Sequence, residues 1–159
     1  MHERYKLTEA RHFLTRMLAE RDNPTNFRFE LSAFLAAARS VLQYVLKEAD
    51  TVTGGKLWYA KAMTRDPLLV FFKDQRDANI HTAPVSPATN MSTHIAEYLC
   101  IEEDNGEDTI VPLRHYTSSY RHRFTAWAGN EDVLELAERY LVALQVLVED
   151  GVSQGFISG

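Results

Sequence analysis

The stretch NFRFELSAFLAAARSVLQYVLKEA, residues 26–49, decides the fold. Phe27, Leu31, Phe34, Leu35, Ala38, Val41, Leu42, Val45 and Leu46 fall in one stripe about 140° wide when successive residues are turned by about 100°. That spacing predicts a long amphipathic helix. Its centre, LSAFLAAARS, is rich in Ala and Ser, and small side chains let another helix approach closely. The run TVTGG that follows predicts its end.

Working outward, the same period recurs. Phe13, Leu14, Met17 and Leu18 predict a helix over residues 4–21, broken by RDNPTN. Residues 56–81 read as helical, but Asp66-Pro67 lies inside them. Asp suits an N-cap and Pro the first helical turn, so a break near Arg65 and a fresh helix from Pro67 to about Ile80 are expected. HTAPVSPATN, with two prolines, cannot continue that helix.

The period then changes to two. HIAEYLCIEE and TIVPLRHY flank DNGED, which reads as a hairpin on an Asn-Gly turn, with Pro112 placing its strand at an edge. Such a hairpin is not stable alone and is expected to pack on the helices. Residues 130–150 form the last helix, with Asn130 as N-cap and Val133, Leu136, Ala137, Tyr140, Leu141, Leu144, Leu147 and Val148 on its buried face. The tail GVSQGFISG is expected to fray. The expected fold is all-α: an antiparallel bundle of four or five helices, with a small β-hairpin at 94–116 inserted before the last helix, in a single domain over 1–159.

Composition narrows the function. The chain has 159 residues, 45% hydrophobic and 25% charged, enough to bury a sizeable core without staples. Its one cysteine, Cys100, allows no internal disulfide and no multi-cysteine zinc site, and reads as a small core residue in a strand. The N-terminus MHERYKLTEARHF is charged, and no run of 18 apolar residues suggests a membrane span, so a cytoplasmic protein is expected. A net charge of −5 does not announce a nucleic-acid binder. The charge is uneven, however: the last helix is acidic, and RHYTSSYRHR, residues 114–123, is basic.

On a wheel drawn from Pro67, Leu68, Leu69, Phe72 and Asn79 share one arc, and Arg76 falls within it, about 40° from Phe72. A guanidinium on the packed side needs a carboxylate, a carbonyl or a bound phosphate. Glu30 on the second helix is one candidate partner. Asp77 and His81 are four residues apart and share a face, so the carboxylate can orient the imidazole. Arg76 and His81 diverge by about 140° on a regular helix. They converge only if His81 lies past the helix end, or if a second copy of the chain brings its own residues in.

Arg76-Asp77-Ala78-Asn79-Ile80-His81 resembles the motif of HEPN domains (higher eukaryotes and prokaryotes nucleotide-binding): arginine, a polar residue, three more residues, histidine. The phrase DPLLVFFKDQRDANIH resembles bacterial members, and the likeness in architecture covers about residues 5–150. The hairpin departs from the minimal fold of that family, and Asp77 stands where the family often has Asn. The resemblance implies a metal-independent endoribonuclease needing no cofactor, acting as a homodimer with both motifs facing one cleft. Toxin–antitoxin and defence systems are its usual settings, with an antitoxin or regulatory protein as partner.

In that reading Arg76 holds the scissile phosphate, His81 moves the proton of the 2′-hydroxyl or the leaving oxygen, and Asp77 orients the site. Lys73 and Asn79 on the same helix, with Arg121 and Arg123 in the basic strip, are the candidate RNA contacts. Two other readings stand beside it: a non-catalytic helical module binding a nucleotide, RNA or a partner protein, and a structural bundle whose motif is an ion-pair network. Among the remaining histidines, His94 and His115 flank the hairpin without a third ligand, which argues against a metal site. His122 reads as a solvated loop residue or an RNA contact. Trp58, Tyr59, Tyr120 and Trp127 read as core or interface before they read as base-stacking platforms.

Overall fold

A computed structural model describes residues 2–104 and 107–159, with residues 100–104 and 107–112 described at the level of the backbone. In chain order the elements are α1 (His2–Ala19), α2 (Pro24–Ala49), α3 (Gly55–Met63), α4 (Pro67–His81), β1 (Ala88–Asp104), β2 (Glu107–Arg123) and α5 (Val133–Ser153). The described residues are therefore mostly helical, with five helices and a two-stranded antiparallel hairpin before the last.

The stripe on α2 is the centre of the core. Phe27, Leu31, Phe34, Leu35, Ala38, Val41, Leu42 and Val45 are all buried. Asn23 caps the helix, its side chain accepting from Asn26 N at 3.2 Å, and Pro24 follows at the first helical position. By length and composition α2 would suit a membrane span, yet its apolar side is enclosed by the other helices. α1 packs on α2 and α5, α4 lies against both α2 and α5, and α3 sits against α2 and α4.

Phe72 of α4 joins these layers. Its ring stacks on Tyr140 of α5 at 4.4 Å and 7°, and meets Phe34 of α2 and Phe124 edge-on at 6.1 and 5.6 Å. Burying each such side chain contributes about 1.5–3 kcal/mol. Asp66 caps α4 as expected, accepting from Leu68 N at 2.8 Å, with Pro67 next.

Four expectations are corrected. The last helix starts at Val133 with Asp132 as its N-cap, not at 130 with Asn130. Asp132 accepts from Leu134 N at 2.9 Å and also from His122 N at 3.2 Å, so it caps the helix and ties down the hairpin together. The tail does not fray. α5 continues to Ser153, Ile157 is buried, and Phe156 stacks on Trp58 at 5.3 Å.

The hairpin is longer than 94–116, and it does not lie on the helices. Its strands pair from Ala88↔Arg123 to Asp104↔Glu107. Only the base is held: Phe124 is buried, Arg21 donates to Tyr120 O at 3.1 Å, and Asp22 accepts from Tyr120 N at 3.1 Å. Beyond that, the strand residues whose side chains are described are exposed, apart from the half-buried Ala96. The expected Asn105-Gly106 turn and the Cys100 side chain lie outside the described residues.

The fourth correction is His122, which is neither solvated nor free to meet RNA. It is 1% exposed and stacks on Phe27 at 3.8 Å and 9°. Its Nε2 lies 2.8 Å from the carbonyl of Arg21. A carbonyl only accepts, so Nε2 carries the proton. Nδ1 then faces the Thr89 hydroxyl at 3.0 Å.

Candidate functional site

α4 carries the motif, and its packing decides what each residue can do. Arg76 points inward as the wheel predicts: its side chain is 21% exposed, and its Nε is buried without a hydrogen-bond acceptor. Glu30 is not its partner, because that carboxylate pairs with Arg16 at 2.6 Å. Arg76 Nη1 instead donates to Asp77 Oδ1 at 3.2 Å.

A second arginine comes from α2. The Arg39 side chain is 16% exposed, and its Nε likewise is buried without an acceptor. It stands 3.7 Å from Asp77 Oδ1, an ion pair but too long for a hydrogen bond. Lys73, one turn before Asp77, reaches Asp77 Oδ2 at 3.3 Å and Asp74 Oδ1 at 3.0 Å. Three cations face two carboxylates, so the cluster is net positive in a chain of formal charge −5.

The tyrosines around it sense the same charges. Burial pushes the Tyr59 hydroxyl of α3 up, with Arg39 and Lys73 opposing. Burial pushes Tyr140 of α5 far above the usual phenol range, again opposed by Arg39. Burial alone would raise the Asp77 carboxyl, but Lys73, Arg39 and Arg76 together hold it below the usual carboxylate range. Asp77 is therefore ionised at neutral pH, and its lone pairs are engaged by cations rather than by His81.

His81 is the last residue of α4 and is exposed; among the described residues no hydrogen bond or ion pair holds its ring. The helix closes behind it, with Thr82 N and Ala83 N both donating to Ala78 O at 2.9 and 3.0 Å. Since His81 is still helical, Arg76 and His81 leave the helix about 140° apart. One chain does not bring them together.

The four candidate RNA contacts divide. Lys73 belongs to the cluster. Asn79 is a structural clasp: it donates to Ser32 Oγ of α2 at 2.9 Å and accepts from Val85 N at 2.9 Å, fixing the chain where it leaves α4. Arg121 and Arg123 bond the carbonyl and side-chain oxygens of Asn130, at 2.8 and 3.0 Å, and brace the segment before α5.

Trp58 and Trp127 belong to the packing. Trp58 Nε1 donates to Asp150 at 2.8 Å, and the Trp127 ring meets Phe71 at 4.9 Å. His94 and His115 sit on one face of the hairpin, offset diagonally, since His94 pairs with Thr117 and His115 with Ala96. Among the described residues no group of three or more His, Cys, Asp or Glu is placed to hold a metal.

Arg39 is the residue that the motif alone does not point to. A partial signal for it exists, because it lies about 20° beyond Leu46, just outside the edge of the apolar stripe of α2. A groove of about 580 Å³ lies elsewhere, between α5 and the α3–α4 corner, lined by Leu69, Val142, Val146, Arg65 and Arg139.

These residues define a helical protein with a half-buried, net-positive cluster where α2, α3, α4 and α5 meet. Comparison with protein-family models, with curated proteins and with solved structures finds no match for the chain.

Proposed function

We propose that this protein is a HEPN-type, metal-independent endoribonuclease, built as an antiparallel helical bundle and acting as a homodimer, in the cytoplasmic setting of a toxin–antitoxin or defence system. The observation that carries the reading is the pair of buried arginine Nε groups, Arg39 and Arg76, that lack acceptors beside Lys73. A buried donor left unpaired costs about 1–3 kcal/mol, and a phosphate that drew these side chains outward would supply the missing acceptor.

Arg76, helped by Arg39, would stabilise the charge developing on the phosphate. His81, unencumbered at the helix end, would take the proton of the 2′-hydroxyl or deliver one to the leaving 5′-oxygen. The 2′-oxygen attacks phosphorus as the 5′-oxygen departs, leaving a 2′,3′-cyclic phosphate and a free 5′-hydroxyl. No metal is needed, and DNA, without the 2′-hydroxyl, is not cut. Because Arg76 and His81 diverge on one chain, the working pair takes one residue from each copy.

The test is cleavage of RNA by the purified chain in chelator, beside Arg76→Ala and His81→Ala. The wild type is expected to cut and each variant to lose about 10²-fold or more. Equal activity in all three, or none in any, removes the enzymatic reading. A second reading, a non-catalytic module binding RNA, a nucleotide or a partner protein, is favoured by Asp77. Its carboxylate already engages Lys73, Arg39 and Arg76 and occupies part of the anion-binding surface. RNA binding without cleavage would select it.

A further inference from the structure

One carboxylate sits among more cations than it can satisfy. Asp77 faces Arg76 Nη1 at 3.2 Å, Lys73 Nζ at 3.3 Å and Arg39 Nε at 3.7 Å. A charge-assisted N–H···O bond of good geometry runs at about 2.7–2.9 Å, so none of the three contacts is a close one. Arg39 comes from α2, and Lys73 and Arg76 from α4. Against these three cations stand two carboxylates, Asp77 and Asp74, the second paired with Lys73 at 3.0 Å. The cluster therefore keeps one net positive charge.

That single charge limits what can bind. The attraction felt by an anion grows in proportion to its charge, whereas the cost of taking it out of water grows with the square of its charge. The Arg39 and Arg76 side chains are 16% and 21% exposed, so an anion held by them loses much of its water. A phosphodiester, with one negative charge, brings the cluster to neutrality. A phosphate monoester carries nearly two above its second pKa of about 6, and leaves one negative charge over. Asp77 is more exposed than either arginine, at 36%, and is ionised at neutral pH.

We propose that Asp77 sets the charge this cluster accepts, so that it takes an internal phosphodiester in preference to a dianionic phosphate monoester, whether the terminal phosphate of an RNA or a free mononucleotide. The inference rests on the phosphate site proposed above and gives Asp77 a role in specificity. It agrees with cleavage inside a chain rather than at its ends.

The test is binding, not cleavage, with two probes that share a base and a sugar and lack the 2′-hydroxyl. One is the 2′-deoxy dinucleotide of adenine, a monoanion without terminal phosphate. The other is 2′-deoxyadenosine 3′-phosphate, a dianion at about pH 8. Affinities are read by NMR titration at the Nε–H signals of Arg39 and Arg76, for the wild type, Asp77→Asn, Asp74→Asn and Glu149→Gln. The wild type is expected to bind the dinucleotide more tightly. Asp77→Asn should tighten the dinucleotide about 10-fold and the monophosphate about 100-fold, because the effect of one removed charge scales with the charge of the ligand. Asp74→Asn should move both the same way by less, and it carries the test if a thermal melt shows Asp77→Asn unfolded. Glu149→Gln makes the same change of net charge near the C-terminal end of α5 and should move neither affinity more than about twofold. Equal tightening of the two probes, no tightening, or a wild type that prefers the monophosphate overturns the inference and leaves the phosphate site standing. Arginine signals that respond to neither probe in any chain sink the phosphate site, and the inference with it.

Discussion

In RHR, residues 121–123, the two arginines make the histidine between them look solvent-facing. The alternation of the strand reverses that impression: His122 turns to the face that meets Phe27, while its neighbours turn out to Asn130. Charged neighbours report nothing about the opposite face of a strand, and the partner ring, Phe27, is far away in sequence. His122→Ala removes the stack and strands the Arg21 carbonyl and the Thr89 hydroxyl. A loss of about 2–4 kcal/mol in urea unfolding is expected, with the hairpin base loosening first in hydrogen exchange. A loss below about 0.5 kcal/mol would show that the buried imidazole does not hold the hairpin to α1 and α2. By contrast, the inward turn of Arg76 was legible, because helical periodicity fixes direction without knowledge of partners. Its partner was not: Glu30 is close enough on paper, but Arg16 on α1 claims it.

At the scale of elements, periodicity and caps located the helices well. Asp66-Pro67 marks the start of α4, and the α2 stripe is buried as its spacing predicts. The misplaced ends have tertiary causes. Asn130 and Asp132 are both good caps by residue type, and the His122 backbone amide selects Asp132. GVSQGFISG looks like a frayed tail because it is polar and glycine-rich, yet Gly151 is where α5 passes under Trp58. A Cβ there would come within 2.6 Å of the Trp58 ring.

Asp150 locks this corner, accepting from Trp58 and from Arg65 at 2.7 Å and so tying α3 and the α3–α4 turn to α5. The Trp58 hydrogen bond first, then Arg65 and Gln154, hold its carboxyl below the usual range against the opposing pull of burial. A carboxylate with a lowered folded-state pKa contributes stability above its unfolded value of about 3.9 and loses it as pH falls through the folded value. Asp150→Asn is therefore expected to melt lower than the wild type at pH 7, with the gap closing below about pH 4. A gap that stays constant from neutral to acid would mean the carboxylate's charge plays no part.

For the whole molecule, the helical class and the hairpin before the last helix were readable from period changes alone. The hairpin's projection was not, since an alternating strand looks the same whether its apolar face meets a helix of its own chain or another molecule. The basic strip likewise suggested Arg121 and Arg123 as RNA contacts without showing that both bond Asn130. The central proposal is a site completed by two copies, because α4 remains helical through His81 and sends Arg76 and His81 apart.

Subunit mixing tests it most directly. Arg76→Ala and His81→Ala chains, each inactive alone, are mixed and allowed to exchange before RNA cleavage in chelator is measured. If Arg76 of one copy works with His81 of the other, mixed dimers keep one intact pair of two. Random exchange makes about half the dimers mixed, so about a quarter of wild-type activity is expected to return. Activity that stays at the level of the separate variants, while exchange is confirmed by mass, would contradict a site shared between copies.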